Sequence, residues 1–116
     1  MENRLFDHER LDVYRTAIEF VILSDEILES LPRGRAYLVD QLQRAASSIA
    51  LNIAEGAGEY ARLEKHRFYR MAKRSATECA AILDIGLKLG LIETKKLGDA
   101  RDLLFRIVSM LIKMVN

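Results

Sequence analysis

Six cations crowd into thirteen positions of this chain, Arg62, Lys65, Arg67, Arg70, Lys73 and Arg74 against Glu64 alone. That is a local charge of +5 in a sequence of 116 residues whose formal net charge is +1. On a helix at about 100° per residue, Arg62, His66, Arg70 and Lys73 fall within roughly an 80° arc, with Tyr69 bordering them. A row of guanidinium and ammonium groups beside an aromatic ring suits phosphate contact with occasional base stacking, the way single strands and irregular RNA are held. Arg62, Lys65, His66, Arg70, Lys73 and Arg74 are therefore the candidate nucleic-acid contacts, for RNA or DNA. A second reading stays open. Residues 1 to 31 carry a net −5, and a basic face can also be a solvated surface that pairs with that acidic segment in the same subunit or another.

The second candidate is a polar stripe in QLQRAASSIALNIAEG. Leu42, Ala45, Ile49 and Ile53 recur at helical spacing and face a core, while Gln41, Arg44, Ser48, Asn52 and Glu55 follow one another along a different side. The stripe can be a hydrogen-bonded seam between subunits, with Arg44 meeting a carboxylate and Asn52 fixing register, or simply the wet side of its helix. Catalytic patterns are absent. His8 and His66 have no partner at metal-ligand spacing. Ser47, Ser48 and Ser75 lack the turn that presents a hydrolase serine, and Cys79 falls on an apolar helix side, where a thiol is ordinarily an inert packing group. No catalytic residue, metal or cofactor is expected, and the chain is not read as an enzyme.

The elements that must position these residues are helices. Asp7 reads as the N-cap of a first helix over about 8–30, with Phe6 and Leu11 as a hydrophobic staple. Leu11, Tyr14, Ile18, Val21 and Leu28 form one apolar stripe of that helix; Val13, Phe20, Leu23 and Ile27 form another on nearly the opposite side. Pro32 and Gly34 break the chain before a second helix over 37–55. Gly56, Ala57 and Gly58 read as a tight exit using glycine's access to left-handed backbone. A third helix spans 61–89, with Ala72, Ser75, Cys79 and Ile82 among its inward residues, and Gly90 closes it. Thr94 is a candidate N-cap for a fourth helix over 94–115, inward-facing through Leu97, Ala100, Leu104, Ile107 and Leu111.

Short connections favour antiparallel neighbours, so the expected fold is all-α, an up-down-up-down antiparallel four-helix bundle forming one domain over 1–116. The apolar cover on the first and fourth helices exceeds what one bundle hides, which predicts a homo-oligomer. Heptad-like spacing of Val13, Phe20 and Ile27, with Leu23 between, nominates the outer side of the first helix as the subunit contact. Composition agrees with helices: half the residues are hydrophobic, with one proline, six glycines and no tryptophan. The single cysteine cannot form an internal disulfide. No secretory pattern opens the chain and no apolar run approaches the roughly 20 residues of a membrane span, so a cytoplasmic protein without membrane contact is expected.

These motifs together resemble the four-helix-bundle proteins linked to intervening sequences of 23S ribosomal RNA genes. In that family the second helix reads like Gln41, Leu42, Arg44, Ala45, Ser48, Ile49, Asn52, Ile53, Ala54, Glu55 and Gly56, all matched here. The third helix carries an A-R-G-S-x-x-E pattern, represented by Ala72, Lys73, Arg74, Ser75 and Glu78. Arg74 replaces the glycine, which removes the basis for a close backbone contact there and adds charge beside Lys73. Ala50 stands where some members have proline, so the second helix should be less kinked. The resemblance implies a bundle that assembles into a ring, as a pentamer, without enzymatic activity. The chain is also similar to accessory proteins of diversity-generating retroelements, which form such rings and associate with nucleic acid and a reverse transcriptase. The leading expectation is a ring-forming bundle that binds RNA or other nucleic acid through its third helix. The alternative is a protein-protein scaffold or accessory subunit, for example of a reverse transcriptase or ribosome-associated factor.

Overall fold

A computed structural model describes residues 4–115; Glu2, part of the acidic count above, lies outside them, as do the ends of the expected 1–116 domain. Among the described residues the chain forms a 3-10 turn, Asp7–Arg10, followed by four helices: α1 (Asp12–Glu29), α2 (Ala36–Gly58), α3 (Arg62–Lys88) and α4 (Thr94–Met114). α1 packs on α2 and α4, and α3 packs on α2 and α4, while the diagonal pairs do not meet. That is the square of a four-helix bundle. α2 runs unbroken through Ala50. Among the described residues no helix is long and apolar enough to cross a membrane.

Helix ends follow local chemistry, with differences from the sequence expectation. The chain kinks into extended backbone at Leu11, so α1 begins at Asp12 and Asp7 instead opens the 3-10 turn. The Phe6 amide donates to Glu9 Oε1 at 2.9 Å. The Phe6 ring is exposed and stacks on His8 rather than stapling the helix to Leu11. Thr94 is the first residue of α4, behind Glu93 as its cap. α3 ends as expected at Gly90, whose φ of +72° lets Gly90 N–H reach Leu87 O and Leu91 N–H reach Gly86 O, both at 2.9 Å.

The core contains Phe20, Ile27, Leu42, Ile49, Ile53, Leu83, Ile107 and Leu111, all essentially sealed from solvent. This corrects the expected subunit contact. Val13, Phe20 and Ile27 point inward at 2%, 0% and 1% exposure, and Leu23 is half-buried against the same cluster, so these residues cannot form an outer surface. The buried Thr16, Ala17 and Ser24 lie among them, and such small side chains let α1 approach its neighbours closely. The opposite stripe is the one left partly outside, with Ile18 and Ile22 exposed.

Gly56 is also corrected. α2 continues to Gly58, and neither glycine has a positive φ. What Gly56 supplies is space: a Cβ there would sit 2.7 Å from Tyr69 Cε1 and 3.1 Å from Phe68 Cβ.

Candidate nucleic-acid interface

The side of α3 away from the bundle carries Arg62, Arg70, Lys73 and Arg74, all exposed, with His66 half-buried at their border. The helix puts them there because Tyr69, Ala72, Ala76, Cys79 and Leu83 occupy the inward arc. Among the described residues none of the four exposed cations has an ion-pair partner. The acidic α1 of the same chain does not neutralise them, because α1 and α3 do not touch. Four cations without contact ion pairs on one exposed face, with Glu78 the one carboxylate lining the adjoining depression, leave a net positive field available to an anion.

Lys65 leaves the row. Its Nζ donates to Gly56 O at 2.9 Å and Ala57 O at 3.1 Å, occupying carbonyls at the negative end of α2. The same ammonium lies 5.9 Å from the Tyr69 ring centroid. Tyr69 is only 4% exposed, so it cannot offer a stacking face; the same burial raises its phenol pKa. The exposed aromatic beside the basic row is instead Tyr60, fully open to solvent in the turn just before α3. Sequence reasoning missed it, although an aromatic between a glycine-bearing turn and a basic helix start was the available signal. Arg67, also exposed, pairs with Glu64 and lies 4.8 Å from the Phe68 ring centroid.

The polar stripe of α2 divides. Gln41, Arg44 and Glu55 are exposed, whereas Ser48 and Asn52 turn toward α3. Ser48 Oγ and Ser75 Oγ are 2.8 Å apart, and Asn52 Nδ2 donates to both Ser48 O and Ser48 Oγ at 2.9 Å. Ser48 from the first motif and Ser75 from the third-helix motif are thus one hydrogen-bonded seam within a subunit. Beside it lies an open depression of about 790 Å³ that Arg70, Lys73, Arg74 and Glu78 also line. Ser48 and Asn52 are shared with a second depression on α2 that contains Arg44, Glu55 and the exposed Leu51. The two recognisable motifs therefore converge on one surface.

Cys79 contributes no chemistry to this surface. It is fully buried, and burial together with the charge of Glu78 pushes its thiol up to about 12, far above the range where a thiolate forms near neutrality. Among the described residues no three His, Cys, Asp or Glu side chains gather as a metal site would require.

A model of the 23S rRNA-intervening sequence protein family matches residues 9–113. The fold is similar to that of a Bacteroides thetaiotaomicron protein of unknown function from the S23 ribosomal protein family, with a TM-score of 0.83 and 19% identity. That likeness covers 90% of this chain and 98% of the other. No curated protein matches significantly. Neither matching description names an enzymatic activity.

Proposed function

This chain belongs to the 23S rRNA-intervening sequence protein family, and from that premise we propose a non-enzymatic protein that binds RNA along the outer face of α3. The observation that carries the proposal is the row of Arg62, Arg70, Lys73 and Arg74, exposed and without ion-pair partners among the described residues. His66 borders the row, and Tyr60 supplies an exposed ring for a base to stack on. The work of such a protein lies in the cytoplasm, with single-stranded or irregular RNA as the ligand class.

The protein acts as a homo-oligomer. Ile18 and Ile22 on α1 and Phe105 and Ile112 on α4 remain exposed at 36%, 57%, 62% and 41%, apolar surface that association would cover. A closed ring, of five subunits by the resemblance, repeats the weak basic site and raises avidity without new chemistry. Light scattering on a size-exclusion column, before and after nuclease, measures the subunit number. An accessory role toward a protein partner is the second reading, favoured by Leu51, which stands 62% exposed between Arg44 and Glu55 on α2. Capture of a defined partner that survives nuclease treatment would favour it.

A salt titration of binding to single-stranded RNA tests the main reading. Log affinity should fall linearly with log salt, by roughly 0.7 per phosphate neutralised. Arg70→Glu combined with Lys73→Glu should abolish binding while the helical circular dichroism stays intact. A flat salt response, or full affinity in the double variant, would refute the basic-face contact.

A further inference from the structure

The α2–α3 depression offers more than charge. Asn52 engages its amide nitrogen with Ser48, so the group it has left for a ligand is Oδ1, an acceptor. Ser48 and Ser75 share one hydrogen bond, which uses one of their two hydroxyl protons and leaves the other as a donor. An acceptor and a donor thus stand together beside Arg70, Lys73 and Arg74. Glu78 lines the same space, so a bare phosphate entering it would meet a carboxylate as well as the cations. A ligand that carries both negative charge and a hydroxyl suits the lining better. The space of about 790 Å³ falls within the range of roughly 300–1,000 Å³ typical of small-ligand sites, enough for a nucleotide segment.

The ribose 2′-hydroxyl is such a group, since it donates and accepts at once and lies next to a phosphate in the same strand. We propose that Asn52 and the Ser48–Ser75 pair read this hydroxyl while Arg70 and Arg74 hold the adjoining phosphate, so that the protein selects RNA over DNA. This rests on the nucleic-acid reading of the α3 face and names the feature of the ligand that the site recognises.

Three single-stranded oligonucleotides of one sequence, RNA, DNA and 2′-O-methyl RNA, test it by fluorescence anisotropy at matched points of a salt titration. RNA should bind about three- to tenfold more tightly than DNA, the size of one or two net hydrogen bonds. The 2′-O-methyl strand keeps the RNA sugar pucker but lacks the proton, and should fall to the DNA level. Ser48→Ala combined with Ser75→Ala removes both hydroxyls, and so the donor; it should lower RNA affinity to that level and leave DNA affinity unchanged, with a thermal melt verifying the fold. Equal affinity for RNA and DNA with a steep salt slope would overturn ribose recognition and leave the basic-face contact standing. Retention of full RNA affinity by the methylated strand or by the double serine variant, or an equal loss for RNA and DNA in that variant, would also overturn it. Absence of binding to all three would overturn both.

Discussion

α2 and α3 are joined by directional chemistry, whereas α1 and α4 meet through apolar surface. Between α2 and α3, Ser48 meets Ser75, Lys65 reaches back to the carbonyls of Gly56 and Ala57, and Tyr69 fills the space that Gly56 leaves. Among the described residues no side-chain hydrogen bond or ion pair crosses between α1 and α4. Hydrogen bonds and a ring against a glycine fix how two helices slide and rotate; apolar contact tolerates more variation. The directional pair is also the one that carries the cations and the depression. The molecule holds its register beside the proposed ligand site, and leaves Ile18, Ile22, Phe105 and Ile112 of the other pair exposed, the surface proposed for association.

Substitutions can break this contrast at several strengths. The largest effect belongs to the inward face of α1: Phe20→Ala should lower unfolding free energy by about 3–5 kcal/mol in denaturant titration, because it empties a fully buried site. Gly56→Val should cost about 1–3 kcal/mol by forcing the buried Tyr69 ring aside. Gly58→Ala, where an added Cβ meets nothing within 4 Å, should leave stability unchanged or slightly raised. If both glycine variants behave alike, the close approach at Gly56 is not what holds the pair. Ser48→Ala should remove about 0.5–1.5 kcal/mol, the net worth of a hydrogen-bonded hydroxyl at a half-buried seam. Smallest of all on folding, within about 0.5 kcal/mol, should be Ile22→Glu and Phe105→Glu. These two should nonetheless reduce the mass in solution to that of a single chain, and an unchanged oligomer would move the association surface elsewhere.

Much of this architecture was legible in the residues. Leu42, Ala45, Ile49 and Ile53 face the core as their spacing predicts, and Arg62, Arg70 and Lys73 share an exposed face as their arc predicts, although His66 of that arc is half-buried and Tyr69 at its border turns inward. Periodicity could not choose between the two apolar stripes of α1, which have similar hydrophobic content. The discriminating signal was what lies between the large residues. Thr16, Ala17 and Ser24 flank the buried stripe, whereas Glu19, Asp25 and Glu26 flank Ile18 and Ile22. Other features depended on tertiary geometry. Gly56 answers to a ring thirteen positions later rather than to its own backbone angle. Lys65 sits within a charge run yet spends its ammonium on carbonyls of the preceding helix. That Ser48 would meet Ser75, 27 residues away, could be read only once the two helices were packed.

Ultraviolet crosslinking of single-stranded RNA to the native protein, with the modified peptides located by mass spectrometry, tests the proposed division of labour most directly. Crosslinks should fall on the outer face of α3, between Arg62 and Glu78, and on the adjoining Ser48 to Asn52 stretch of α2. Crosslinks confined to α1 or α4 would contradict the account, since the ligand would then lie on the pair assigned to association.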